Sequence, residues 1–103
     1  MQAPRGSLSA DYKVPGGKLL RVQLTLDTSQ APPTIADLRI HGDFFMHPEE
    51  AIEELEACLV GLPCEAAALR PHVRAFFEGD VQVLGADVDS IVHAIVAAGK
   101  CNS

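Results

Sequence analysis

Two groupings in this 103-residue chain carry residue types that do chemistry. The first is His41, Asp43 and His47, within the stretch HGDFFMHPEE. Imidazole and carboxylate both suit zinc. His41 and Asp43 would share one face of a strand, but His47 lies beyond a bend and no fourth ligand is near in sequence. Solvent-facing histidines at a strand end are therefore expected, not a metal centre. The second is Cys64 with His72, a nucleophile and a base in one segment, with nothing to orient the imidazole. No G-x-S-x-G elbow is present. Gly16-Gly17 precedes a strand, so no helix N-terminus stands behind it to hold a phosphate. No catalytic residue and no metal ligand set is assigned. The residues point to a module that works with something else.

The remaining thiols agree with this. Cys58, Cys64 and Cys101 are odd in number and widely spaced, with no C-x-x-C pair, so reduced thiols are expected. Cys64 follows Gly61-Leu62-Pro63, a turn where a thiol could be exposed. A net charge of -6 and a pI near 5.0 argue against nucleic acid or an anionic membrane as main partner. No apolar run approaches the roughly 20 residues of a membrane span. The start, MQAPRGSLSADY, lacks the apolar stretch of a signal peptide, and a cytoplasmic location is the expectation.

The elements that must position these residues follow from periodicity. Residues 1–12 are polar and rich in Pro, Gly and Ser, and read as a flexible tail ahead of a single domain over 13–100. Val14-Pro15-Gly16-Gly17 is a turn signal. Leu20, Val22, Leu24 and Leu26 then alternate with Arg21, Gln23, Thr25 and Asp27, which predicts a half-buried strand. Ala36, Leu38, Ile40 and Phe44 alternate with Asp37, Arg39 and His41, which predicts a second. As an antiparallel hairpin, the register Leu24–Leu38, Val22–Ile40 and Arg21–His41 keeps both apolar sets on one face. It also avoids facing Arg21 with Arg39. Leu19, Ile35 and Phe45 are left on the far face.

Pro48 suits the first turn of a helix. Its glutamates (Glu49, Glu50, Glu53, Glu54 and Glu56) form one arc, read as a solvated helix surface with an acidic docking face as the alternative, opposite Ala51, Ile52, Leu55, Leu59 and Leu62. Leu69, Val73, Phe76 and Phe77 predict a second helical segment. Pro71 inside it implies a kink, or one helix ending near Arg70 and another starting at Pro71. VQVLG (81–85) reads as a short extended piece. Asp87 caps a last helix with Val88, Ile91, Val92, Ile95 and Val96 inward, and Gly99 is its expected stop. The predicted fold class is α+β: a small antiparallel sheet, opening with a β-hairpin, with about three helices on one face.

Several segments together resemble a known family. K-x-P-G-G-K-L-L-R-V (Lys13 to Val22), I-x-G-D-F-F (Ile40 to Phe45), P-E-E-A-I-E-E-L-E (Pro48 to Glu56), L-x-G (Leu59 to Gly61) and D-x-x-x-x-V-x-A-I (Asp87 to Ile95) are similar to the small C-terminal domain of lipoate–protein ligases. The resemblance covers residues 13 to 98. It implies the separate accessory subunit of a two-chain ligase, working with a large catalytic subunit in a heterodimer. That large chain would hold lipoate, ATP and Mg2+. The resemblance further implies ATP-dependent activation of lipoate to lipoyl-AMP, then transfer to a lysine of a lipoyl carrier domain. Lys18, Arg21, Gly42, Asp43, Phe44 and Phe45 are the expected partner interface. Phe45 either completes the core or marks that interface. The alternative, on fold outline alone, is a sulfur-acceptor or iron–sulfur scaffold protein using Cys64 as a reactive thiolate.

Overall fold

Alternation of apolar and polar residues builds the first half of the molecule; the computed structural model describes residues 7–14, 18–29 and 31–100. Strand β1 (Ser7–Lys13), β2 (Leu19–Asp27) and β3 (Thr34–Gly42) form an antiparallel sheet in the order β1-β2-β3. Strand β1 corrects the expected tail. Leu8, Ala10 and Tyr12 alternate with Ser9 and Asp11, and pairing with β2 buries Leu8 and half-buries the other two. The alternation was masked because Ala and Ser are weak strand signals. Residues 1–6 lie outside the described residues, as do 15–17 of the predicted turn. On either side of that turn, the Val14 N–H donates to the Lys18 carbonyl at 2.7 Å.

The β2–β3 register pairs Leu24 with Leu38, Val22 with Ile40 and Arg21 with His41, as the sequence predicts. It then slips at Thr25/Leu26: Thr25 faces Asp37, but Leu26 faces Ile35. Ala36 is the extra residue of a β-bulge, and one inserted residue reverses the side-chain parity beyond it. Ile35 therefore points into the core, fully buried, and Ala36 is exposed, the reverse of the expectation for both.

Helices α1 (Ala51–Leu59), α2 (Ala66–Phe77) and α3 (Val88–Lys100) complete the domain, with a two-stranded ribbon of β4 (Phe45–His47) and β5 (Gln82–Leu84). Helix α3 packs on β1 and β2, α1 on β3, and α2 on the other two helices. Leu20, Val22, Leu38, Leu55, Leu59, Leu69, Val73, Ile91, Val92 and Ile95 meet in one core. The other sheet face is polar, carrying Asp11, Arg21, Gln23, Asp37, Arg39 and His41.

Pro48 precedes α1 instead of starting it: Ala51 N–H donates to the Pro48 carbonyl at 2.9 Å in the turn before the helix. Helix α2 runs unbroken through Pro71, which excludes the two-helix reading. Pro71 and Ala67, whose carbonyl loses its donor, both lie on the exposed side of the helix, where a missing bond is least costly. Gly99 lies within α3, not beyond its end. Asp87 is the N-cap of α3 as predicted; its Oδ1 accepts from Ser90 N–H at 2.7 Å. That bond, before the Ser90 hydroxyl, holds the Asp87 carboxyl below its usual pKa.

Candidate functional site

The register brings the start of β2 against the end of β3. Leu20 pairs with Gly42, Arg21 with His41, and Asp43 N–H donates to the Leu19 carbonyl at 2.8 Å. Lys18, Arg21, Gly42 and Asp43 thus gather at one corner of the sheet, with Phe44 and Phe45 leading away from it. Glycine is required at Gly42 on two grounds. Its φ is +153°, and a Cβ there would run into the Leu19 carbonyl oxygen. Across the corner, a Cβ on Gly85 would come within 3.1 Å of the Asp43 carbonyl and 3.2 Å of the Phe44 Cα. The Gly-Asp-Phe-Phe segment is wedged between two backbones.

The side chains at this corner differ in what they can do. Lys18 and Asp43 are exposed. The Arg21 guanidinium is already engaged: Nε donates to Asp11 Oδ1 at 2.8 Å and Nη2 to Oδ2 at 3.1 Å. That hydrogen bonding lowers the Asp11 carboxyl pKa and raises that of Arg21. Arg21 belongs to the polar sheet face through this pair. Phe44 is half-buried against the core, whereas Phe45 is 51% exposed, so it does not complete the core. Ile40, Gly42, Phe44, Phe45, Met46, Glu49 and Ile52 line a hollow of ≈ 280 Å³ there.

The groupings considered for chemistry do not assemble. His47 stacks on Phe45, ring centroids 6.4 Å apart and planes at 9°. Among the described residues, no three His, Cys, Asp or Glu side chains are grouped to hold a metal ion. His72 Nδ1 donates to the Ala68 carbonyl at 3.1 Å, one turn back on an exposed face. Cys64 is half-buried instead of exposed: its Sγ donates weakly to the Ile95 carbonyl at 3.9 Å and fills the space beside Gly99. Burial, and then the nearby Glu65 carboxylate, push its pKa up. A sulfur acceptor needs a depressed thiol pKa, so the alternative loses its physical basis. Cys58 is exposed, and Cys101 lies outside the described residues.

Two features were missed from sequence. Glu56 belongs to the buried set, not the solvated arc: its Oε2 accepts from the Ile40 N–H at 2.7 Å, capping the outer edge of β3. Its place at i+4 from Ile52 and i−3 from Leu59 was the available signal. Leu84 is 67% exposed and pairs with Phe45 across the ribbon. The alternation that turns Val81 and Val83 inward leaves Leu84 on the outer face with Gln82.

Comparison with known proteins agrees with this architecture. No protein-family model matches the chain. It is 34% identical over 87 residues to subunit 2 of lipoate-protein ligase A from Thermoplasma acidophilum, covering 84% of this chain and 85% of the relative. Its fold is similar to a chain in the solved structure of a bipartite lipoate protein ligase and its E2 lipoyl domain from the same organism. There the TM-score is 0.72 at 32% identity, over 86% of this chain and 93% of that one. The strand corner, the helix layer and this near full-length similarity lead to one assignment: the chain belongs to the family of small second subunits of two-chain lipoate–protein ligases.

Proposed function

We propose that this chain is the accessory subunit of a two-chain lipoate–protein ligase, acting with a large catalytic subunit on an E2-type lipoyl domain. The observation that carries this reading is the similarity to ligase subunit 2 along 84% of the chain. In the reaction, the lipoate carboxylate attacks the α-phosphorus of ATP, pyrophosphate leaves, and lipoyl-AMP forms. A lysine amine of the lipoyl domain then takes the lipoyl group and AMP departs. ATP, Mg2+ and lipoate belong to the large subunit's site. The cytoplasm, where ATP is abundant, is the compartment we assign.

The contribution of this chain is conformational. Adenylation requires ATP and a carboxylate held in line with water excluded, and a docked domain can order the loops that do this. The interface we assign is the corner holding Lys18, Gly42, Asp43, Phe44 and Phe45, with Arg21 supporting it through Asp11. Reconstitution tests the reading. The large subunit, ATP, Mg2+, lipoate and a lipoyl domain are combined with and without this chain, and lipoylation is followed by mass. Lipoylation that depends on this chain is expected. Equal rates without it would overturn the proposal.

A further inference from the structure

The ribbon of β4 and β5 presents an apolar pair that the fold itself leaves uncovered. Phe45 stands directly opposite Leu84, and directly opposed residues in an antiparallel pair share a face. Phe45 is 51% exposed and Leu84 67%. The ribbon cannot turn them inward, because the intervening pair, Met46 and Val83, faces the core. The parallel His47 ring supports Phe45 from the side. A two-stranded ribbon is marginal in water on its own. An adjacent pair of large apolar side chains is the usual centre of a protein contact.

The charge around the pair selects the occupant. Asp43 precedes β4, Asp80 precedes β5, and Glu49 lines the same hollow as Phe45; all three are exposed. At the neighbouring corner Lys13, opposite Leu19, and Lys18 are exposed, while Arg21 is already paired with Asp11, so the three carboxylates outnumber the two lysines. In a symmetric pair of copies the same patch meets itself, so these carboxylates would face their own equivalents, in chains that each carry a net charge of -6. A partner with an apolar hollow and a basic rim satisfies both the centre and the rim.

We propose that the β4–β5 ribbon anchors this chain to the large catalytic subunit, with Phe45 and Leu84 inserted in an apolar hollow whose rim is basic. The inference rests on the ligase-subunit reading and adds the contact itself. Gly42 and Phe44 position the ribbon, and Leu84, from a distant part of the sequence, does half of the docking.

The test is the affinity of the full chain for the large subunit, measured by calorimetry for the wild type, Phe45→Asp, Leu84→Asp and Val60→Asp. Val60 is also exposed, 43%, but at the far end of α1. The two ribbon variants are expected to bind at least about tenfold more weakly, the scale of a lost hot spot. Val60→Asp should bind as the wild type does. Circular dichroism should show all of them folded, since each position is exposed. The charge reversal Glu49→Lys with Asp80→Lys leaves the apolar pair in place and should slow association, as should added salt. Wild-type binding with unchanged affinity in both ribbon variants would overturn the ribbon while leaving the ligase reading intact. An unaltered association rate in the charge reversal would overturn the basic rim. A free chain that dimerises, and that Leu84→Asp returns to monomer, would overturn the choice of occupant. Absence of any wild-type binding would overturn the ligase reading itself.

Discussion

Replacing Glu56 by alanine removes the acceptor of a buried hydrogen bond. Ile40 is 3% exposed, and its N–H points from the outer edge of β3 to the Glu56 carboxylate at 2.7 Å. Without that oxygen the donor keeps its desolvation cost and gains nothing back, which is worth about 1–3 kcal/mol. At about 2 kcal/mol, and about 4–8 °C per kcal/mol for a domain of this size, the midpoint falls by roughly 8–16 °C. Glu56→Gln keeps an oxygen but loses the charge assistance, and should cost about half as much. Glu53→Ala, on the same helix but exposed, serves as control and should stay within about 0.5 kcal/mol. Thermal and urea unfolding of the three variants gives the ranking. If Glu56→Ala and Glu53→Ala unfold together, the edge cap is not a stabilising element and the reasoning fails. A second consequence is solubility, because an uncapped strand edge is a template for pairing with another chain.

Other positions give independent checks. Asp87→Ala removes the α3 cap and should cost about 1 kcal/mol in urea unfolding at neutral pH. Because the folded Asp87 pKa is depressed, that contribution is present above the unfolded carboxylate pKa of about 3.9. It is lost as pH falls through the folded value, so wild type and variant should converge in acid. Gly42→Ala forces a Cβ onto the Leu19 carbonyl and should destabilise by about 1–3 kcal/mol, read from the urea midpoint; an unchanged midpoint would show that the corner can relax. In a Cys101→Ser background, iodoacetamide should label exposed Cys58 faster than Cys64, whose thiol is half-buried and raised in pKa. Faster labelling of Cys64 would revive a thiol-based role.

What the sequence makes legible is the part governed by clean periods. Leu20 to Leu24 and Leu38 to Ile40 alternate without interruption, and like-charge avoidance between Arg21 and Arg39 was enough to choose the register. Asp87 announces its helix because a short acceptor ahead of an apolar run has few other uses. The failures come from features that one period cannot encode. Ala36 looks like a core residue until one notices that a bulge takes it out of step and brings Ile35 in. Strand β1 is written in Ser, Ala and Asp, and becomes a strand because β2 offers it an edge. The end of the second strand was legible only as far as Gly42: Asp43 and Phe44 lie beyond it and Phe45 opens β4, a break that the run of two aromatic residues does not announce. Leu84 was not legible, because its pairing with Phe45 joins segments nearly forty residues apart through tertiary packing.

We place the contribution of this chain in the activation of lipoate, where ATP and the carboxylate must be held in line. Separating the two half-reactions tests it most directly. Pyrophosphate release from ATP and lipoate by the large subunit should require this chain. Transfer from preformed lipoyl-AMP to the lipoyl domain should proceed at a similar rate with or without it. Pyrophosphate release that is equally fast in its absence would contradict the account.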